Sequence, residues 1–269
     1  MTSPRSVPMA PPKPSKAETK SLAALFTGRG SDGLRPDAEA AGFACAPSRE
    51  AADLVIVYGG DGSLLGADRD FPDLPKLVIR RANEYIKCPE HQDAAVFARI
   101  LAGEQTRQFL PRLAAQVGPH HFRAINDIVL HNAKVTAGVR YSVKIDNEIY
   151  ADEIVGDGLV VSTPFGSSAY YRSITKSVFR VGIGLAFNNS TESVNHLILR
   201  DSSLIEVLVT RGPALVAGDN MMDPVAVDRG DLIRISSSGE SAEIWELETL
   251  LCMNCKSRET GRPAGFRHV

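Results

Sequence analysis

Between residues 55 and 65 the chain passes from an apolar, β-branched run, Val-Ile-Val-Tyr, through Gly59-Gly60-Asp61-Gly62-Ser63 and back into apolar residues at helical spacing. This pattern predicts a buried strand, a tight turn and a helix start. Upstream, residues 22–26 read as a first short strand, with Gly28, Gly30 and Gly33 in the loop behind it, and 36–42 as a short helix. Downstream, 76–79 predicts a third strand. Residues 93–101 carry Ala, Val, Phe and Ile at helical spacing, with Gly103 placed to end the helix. Strands alternating with short helices predict a parallel α/β domain.

From Gln108 the pattern changes. Short alternating or β-branched runs follow one another at 127–131, 139–145, 158–162, 197–199, 204–209, 214–217, 232–236 and 243–247, separated by Gly, Asn, Asp and Pro. That spacing is typical of an all-β domain. The expected organisation is a tail at 1–20, an α/β domain at 21–105, a β-rich domain at 106–250 and a C-terminal tail at 251–269. Ligands commonly sit in the crevice between two such domains.

Composition narrows the classes. A length of 269 residues suffices for two cores, and a formal net charge of −2 implies no general attraction to nucleic acid or acidic membranes. No apolar run approaches a membrane span. Residues 1–20 hold five prolines and almost nothing to bury, so a disordered tail without a secretory signal is expected. Cys45, Cys88, Cys252 and Cys255 are too few and scattered for a disulfide framework. Cys252-x-x-Cys255 has the spacing of half a zinc site, but no second pair with metal-ligand spacing accompanies it. Free thiols are therefore expected, and no residue is assigned to direct metal ligation.

The glycine turn carries the first chemistry. Glycines there let the backbone approach a bound group and present N–H donors at a helix N-terminus, which favours phosphate. Gly59, Gly60, Gly62 and Ser63 are the candidate phosphate cradle. A carboxylate at its centre is unfavourable beside phosphate unless it holds a metal ion or takes a proton from an attacking hydroxyl, so Asp61 reads as catalytic. The dinucleotide fingerprint fails because Leu65 stands where its third glycine belongs, and the P-loop fails for want of a Gly-Lys pair.

Two further pieces are informative. Asn126-Asp127 precedes a strand, and an adjacent amide and carboxylate suit an adenine edge or a ribose diol, although for such a pair in isolation Asx capping of a turn is the preferred reading. In Asp157-Gly-Leu-Val-Val-Ser-Thr-Pro-Phe-Gly-Ser-Ser-Ala-Tyr170 a strand delivers Ser162 and Thr163, Pro164 and Gly166 turn the chain, and Ser167 and Ser168 stand where a helix begins. Hydroxyl residues there cap the helix or donate to a ligand. Tyr170 adds a stacking face and a hydroxyl.

The Gly-Gly-Asp-Gly-Ser turn resembles the signature shared by NAD kinases, diacylglycerol and sphingosine-type lipid kinases and 6-phosphofructokinases. With Asn126-Asp127 and the Asp157-to-Tyr170 run in this order, the chain resembles the NAD kinases, because the other kinases lack the third motif. The resemblance implies an α/β N-terminal domain with a β-rich C-terminal domain, and transfer of a phosphoryl group from ATP or polyphosphate, with Mg²⁺, to the 2′-hydroxyl of the adenosine ribose of NAD to give NADP. It implies Asp61 as general base, Gly62 beside the substrate, and Asn126, Asp127, Asp157, Ser168, Ala169, Tyr170 and Ser173 as NAD-binding residues. A cytoplasmic homodimer or homotetramer is the corresponding expectation. A dinucleotide-binding regulatory protein without kinase activity, or a kinase of another small molecule, are the alternatives.

Departures cluster at the margins of these motifs. The family's Asn-x-Gly-x-Leu-Gly-Phe loop is replaced by Arg80-Arg-Ala-Asn-Glu-Tyr-Ile-Lys-Cys88, and its Gly-Gly-Pro stretch by Ile174-Thr-Lys-Ser-Val-Phe-Arg180. The usual Asp-Gly-Gln is Asp219-Asn220-Met221. Arg80, Arg81 and Lys87 are candidate substitutes for lost phosphate contacts, with a solvated surface cluster as the simpler explanation.

Overall fold

The strand Leu54–Tyr58 lies at the centre of a parallel layer, between Ala23–Thr27 on one side and Lys76–Ile79 on the other. In this computed structural model, residues 21–264 are described, so the expectation for residues 1–20 and the last residues of the C-terminal tail lie outside them. Alternation along the central strand decides what covers each face. Leu54 and Ile56 pack with Ala38, Val96, Phe97 and Ile100, from the helices Arg35–Ala41 and Asp93–Leu101. Val55 and Val57 pack on the other face with Leu64 and Leu65 of the helix Asp61–Asp70, and with Ile125, Phe165, Leu247 and Leu250. That second face thus carries the glycine-turn helix and reaches the β-rich half.

The β-rich half is built from two facing layers. One is a six-stranded antiparallel sheet running Leu197–Leu199, Ile183–Asn188, Gly158–Ser162, Asp127–Asn132, Ala214–Gly218, Val225–Val227. The other contains Glu148–Gly156, Val139–Ile145, Ile205–Arg211 and Leu232–Trp245. Alternate residues of both, among them Ile128, Leu130, Leu159, Val161, Tyr141, Val143, Val207, Ile233 and Ile235, form one buried cluster. Tyr141 lies wholly inside it and donates its hydroxyl to the Gly158 carbonyl at 2.8 Å, which keeps a buried polar group satisfied.

Several boundaries differ from the sequence reading. The runs at 232–236 and 243–247 are not two strands. They belong to the fourteen-residue strand Leu232–Trp245, bulged between Ser237 and Ser241 against its partner Arg107–Val117, and Leu247–Leu251 is helical. The end of the long strand pairs in parallel with the N-terminal layer, Ile244 with Lys76 and Trp245 with Leu77. One ten-stranded sheet therefore runs through both halves.

Candidate functional site

At the glycine turn the close approach is real. A Cβ at Gly59 would lie 2.1 Å from Ser63 Oγ, so only glycine fits, and Ser63 and Leu64 donate their amides to the Gly60 carbonyl to open the helix. Asp61 is the first residue of that helix and is exposed. Gly60 and Gly62 leave the backbone open around it, with guanidinium atoms of Arg80 and Arg81 3.6 and 3.4 Å from the Cβ positions of Gly60 and Gly59. Arg80 is committed elsewhere. Its Nη2 donates to Leu250 O at 2.6 Å and Ala264 O at 2.9 Å, and the guanidinium stacks on Tyr85. Lys87 is ion-paired with Asp93, which leaves Arg81, bonded to Glu84 and the Arg29 carbonyl, as the cation nearest the turn among these three.

The Asn126-Asp127 turn is buried and held from three directions. Asp219, at positive φ, receives the amides of Ile125, Asn126 and Asp127 at 2.9, 2.8 and 3.2 Å. Thr163 donates its amide to Asn126 O and its hydroxyl to Ile125 O. Gly166 supplies the third constraint, since a Cβ there would sit 2.0 Å from Asn126 O. Gly166→Ala is expected to displace this turn and lower unfolding free energy by about 1–3 kcal/mol, measured by urea denaturation. The Asn126 side-chain oxygen is buried without a hydrogen-bond partner.

The third motif meets the second. Burial, followed by the charges of Asp157 and Asp127, raises the Tyr170 hydroxyl above its usual pKa, which places both carboxylates near that ring. Asn188 Nδ2 donates to Tyr170 Oη at 3.0 Å, and Asp157 accepts from Asn189 Nδ2 at 2.6 Å. Ser168 and Ala169 lie between the turn at 164–166 and the short helix Tyr170–Thr175. Ser173 is exposed and donates its hydroxyl to Tyr170 O within its own helix, whereas the buried Ser167 bonds Pro164 O and Phe179 O.

Asn220 joins the first motif to the second. Its Nδ2 donates to Gly62 O at 2.8 Å, its Oδ1 accepts from Arg69, and its neighbour Asp219 anchors the Asn126-Asp127 turn. Sequence reasoning noticed Asp219-Asn220-Met221 only as a departure from Asp-Gly-Gln, and so missed this bridge. It also missed Cys88 and His91, which lie beside Cys252 and Cys255.

Burial and the nearby negative charge of Asp219 push Asp127 up to about 7, and burial, offset by its three amide donors, pushes Asp219 up to about 6. For a carboxyl raised in the folded state, its stabilising contribution is complete below the unfolded value near 4 and is lost as pH rises through the folded value. Stability is therefore expected to fall between about pH 4 and about pH 7 on account of these groups, and Asp127→Asn should flatten that fall in urea titrations across the range.

Residues 125–247 match the family described as the ATP-NAD kinase C-terminal domain. Over 131 residues the chain is 39% identical to an NAD kinase of Pseudomonas putida strain GB-1, covering 45% of this chain and 44% of that one. Over 170 residues it is 35% identical to an NAD kinase of Shigella dysenteriae serotype 1, covering 58% of each. The C-terminal part of the chain is thus similar to the NAD kinases.

The chain spans about half the length of the curated NAD kinases it matches. The fold is similar to that of yeast NADH kinase complexed with NADH (TM-score 0.71, 17% identity, 84% of this chain and 83% of that one). It is also similar to an Archaeoglobus fulgidus NAD kinase in complex with ATP (TM-score 0.66, 20% identity, 84% and 93%). Among the described residues, no helix is long and apolar enough to cross a membrane. An α/β N-terminal region followed by a β-rich C-terminal region is thus the NAD kinase fold.

Proposed function

We propose that the protein is an NAD kinase, transferring a phosphoryl group to the 2′-hydroxyl of the adenosine ribose of NAD to form NADP. The observation that carries this reading is the bridge through Asp219 and Asn220, which ties the Asp61 helix start to a buried, preorganised Asn126-Asp127 turn. An adenine amino group would satisfy the orphan Asn126 Oδ1, and a ribose hydroxyl would donate to Asp127. Tyr170 and Asp157 bound the same place, with Ser168, Ala169 and Ser173 assigned to substrate by the motif they occupy.

Phosphoryl transfer depends chiefly on positioning and on neutralising charge. In this reading Asp61, exposed beside open glycine backbone, accepts the proton of the attacking hydroxyl, while Gly59, Gly60, Gly62 and Ser63 border the donor phosphates. Among the described residues no cluster of carboxylates lies close enough to form a protein cage for Mg²⁺. Mg²⁺ bound with the donor would be held on the protein side by Asp61 and would supply charge neutralisation there. ATP or polyphosphate is the donor class. The symmetric oligomer implied by the resemblance is part of the proposal, and light scattering measures it.

The test is incubation of purified protein with NAD or NADH, Mg²⁺ and either ATP or polyphosphate, with the product read by an NADP-specific dehydrogenase. NADP or NADPH is expected with one donor at least. Saturable NAD binding without phosphorylated product from any pairing would overturn the kinase reading in favour of a binding protein.

A further inference from the structure

We infer that Cys88, His91, Cys252 and Cys255 form a structural zinc site that clamps the C-terminal segment to the loop beside the glycine turn. The four side chains arrive from two turns far apart in sequence, Cys88-Pro89-Glu90-His91 and Cys252-Met253-Asn254-Cys255. Each supplies two ligand atoms separated by two residues. All four ligand atoms lie within 4.8 Å of one another.

The separations are those of a single tetrahedral centre. Zn–S bonds near 2.3 Å and Zn–N bonds near 2.0 Å imply S···S edges of about 3.8 Å and S···N edges of about 3.6 Å. Cys88 Sγ lies 3.9 Å from Cys252 Sγ and 3.6 Å from Cys255 Sγ. His91 Nδ1 lies 3.5 Å from Cys255 Sγ and 3.0 Å from Cys88 Sγ. Three sulfurs and one imidazole nitrogen are a soft donor set that selects zinc over magnesium or calcium, and four protein ligands close the site to substrate. The Cys88 amide faces Cys255 Sγ at 3.5 Å, an N–H donor placed to stabilise a metal-bound thiolate. Zinc binding displaces a proton from each thiol that is protonated beforehand, involves no oxidant, and forms no sulfur–sulfur bond.

The surroundings show what the clamp holds. Tyr85–Ile86 pairs antiparallel with Lys256–Ser257, and Arg258 donates its amide to Glu84 O at 2.7 Å. Arg80, between the clamp and the glycine turn, donates to Leu250 O and Ala264 O. Short paired strands of two residues and a few side-chain bonds are marginal by themselves. One metal ion crosslinks them across more than 160 residues of chain, where loop-closure entropy makes a crosslink most effective. The clamp thus fixes Arg80 and Arg81 beside Gly60 and Gly59.

The experiment uses the full chain purified under reducing conditions with zinc present during expression. Elemental analysis is expected to give one zinc per chain. Titration of the thiols with an organomercurial should release it to a chromogenic chelator, and Co²⁺ replacement should give the intense ligand-field bands of a tetrahedral thiolate site. Cys88→Ser and Cys255→Ser are each expected to reduce zinc content at least tenfold and to lower Tm by roughly 5 °C or more. Cys45→Ser, exposed and remote in sequence from both turns, should change neither. If the variants do not fold, the wild-type stoichiometry and cobalt spectrum still decide. A reduced, folded wild type that carries no zinc and gives no cobalt spectrum overturns the site, as does a Cys88–Cys255 disulfide in the purified protein.

Discussion

Asp61→Asn is expected to lower the rate of phosphoryl transfer by about 10²- to 10⁴-fold while leaving the protein folded. The loss follows from chemistry at one atom. Asn has the shape of Asp but cannot accept the proton that the attacking hydroxyl must lose. The fold should survive because the side chain is exposed at a helix start, where losing a charge favourable to the helix dipole costs about 0.3–1 kcal/mol. The two effects are read separately, the rate by NADP formation at saturating NAD and donor, the fold by thermal unfolding. A variant that keeps wild-type kcat would remove Asp61 from the mechanism.

The second large effect is on stability. Asp68, on the glycine-turn helix, lies in a buried triad with Lys76 of the parallel layer and Arg112 of the strand Arg107–Val117. Lys76 Nζ donates to Asp68 Oδ1 at 2.6 Å, and Arg112 donates to Oδ2 through Nε at 2.8 Å and to Oδ1 through Nη2 at 2.6 Å. All three residues are at least 95% buried. Desolvation lowers the Lys76 pKa, opposed by the charge and hydrogen bond of Asp68, so the ammonium depends on that carboxylate. Asp68→Ala leaves two buried cations without their counter-charge and is expected to cost about 3–5 kcal/mol, measured by urea denaturation. Replacing all three together by apolar residues of similar volume should recover most of it, because no charge is then left buried alone.

Legibility of the sequence followed the local signal. Leu54–Tyr58, Lys76–Ile79, Asp93–Leu101 and Gly158–Ser162 were readable because every turn of the pattern meets a core. Arg107–Val117 was not, since Pro111 sits in its middle beside the bulge and its first residues are exposed. Glu148–Gly156 is acidic and half exposed at a sheet edge, so little alternation marks it. At the site, Asp61 and the Asn126-Asp127 turn were visible as motifs. The work of Asp219 was not, because a carboxylate accepting three backbone amides has no signature beyond one polar residue in a turn. Likewise Cys88-x-x-His91 becomes a ligand pair only when the fold brings it to Cys252 and Cys255.

The strand Leu232–Trp245 contributes Ile233 and Ile235 to the core between the facing sheets, Ala242 and Ile244 to the core under the glycine-turn helix, and Trp245 to the core behind the parallel layer. As the chain leaves the ribosome, residues 21–105 therefore emerge with the outer edge of Lys76–Ile79 unpaired and two of their apolar clusters incomplete. Neither can close until residue 245 has been made. Assembly of residues 21–105 must wait on the strand Leu232–Trp245, made long after them, and during that interval the open edge is the point at which nascent chains would pair with one another.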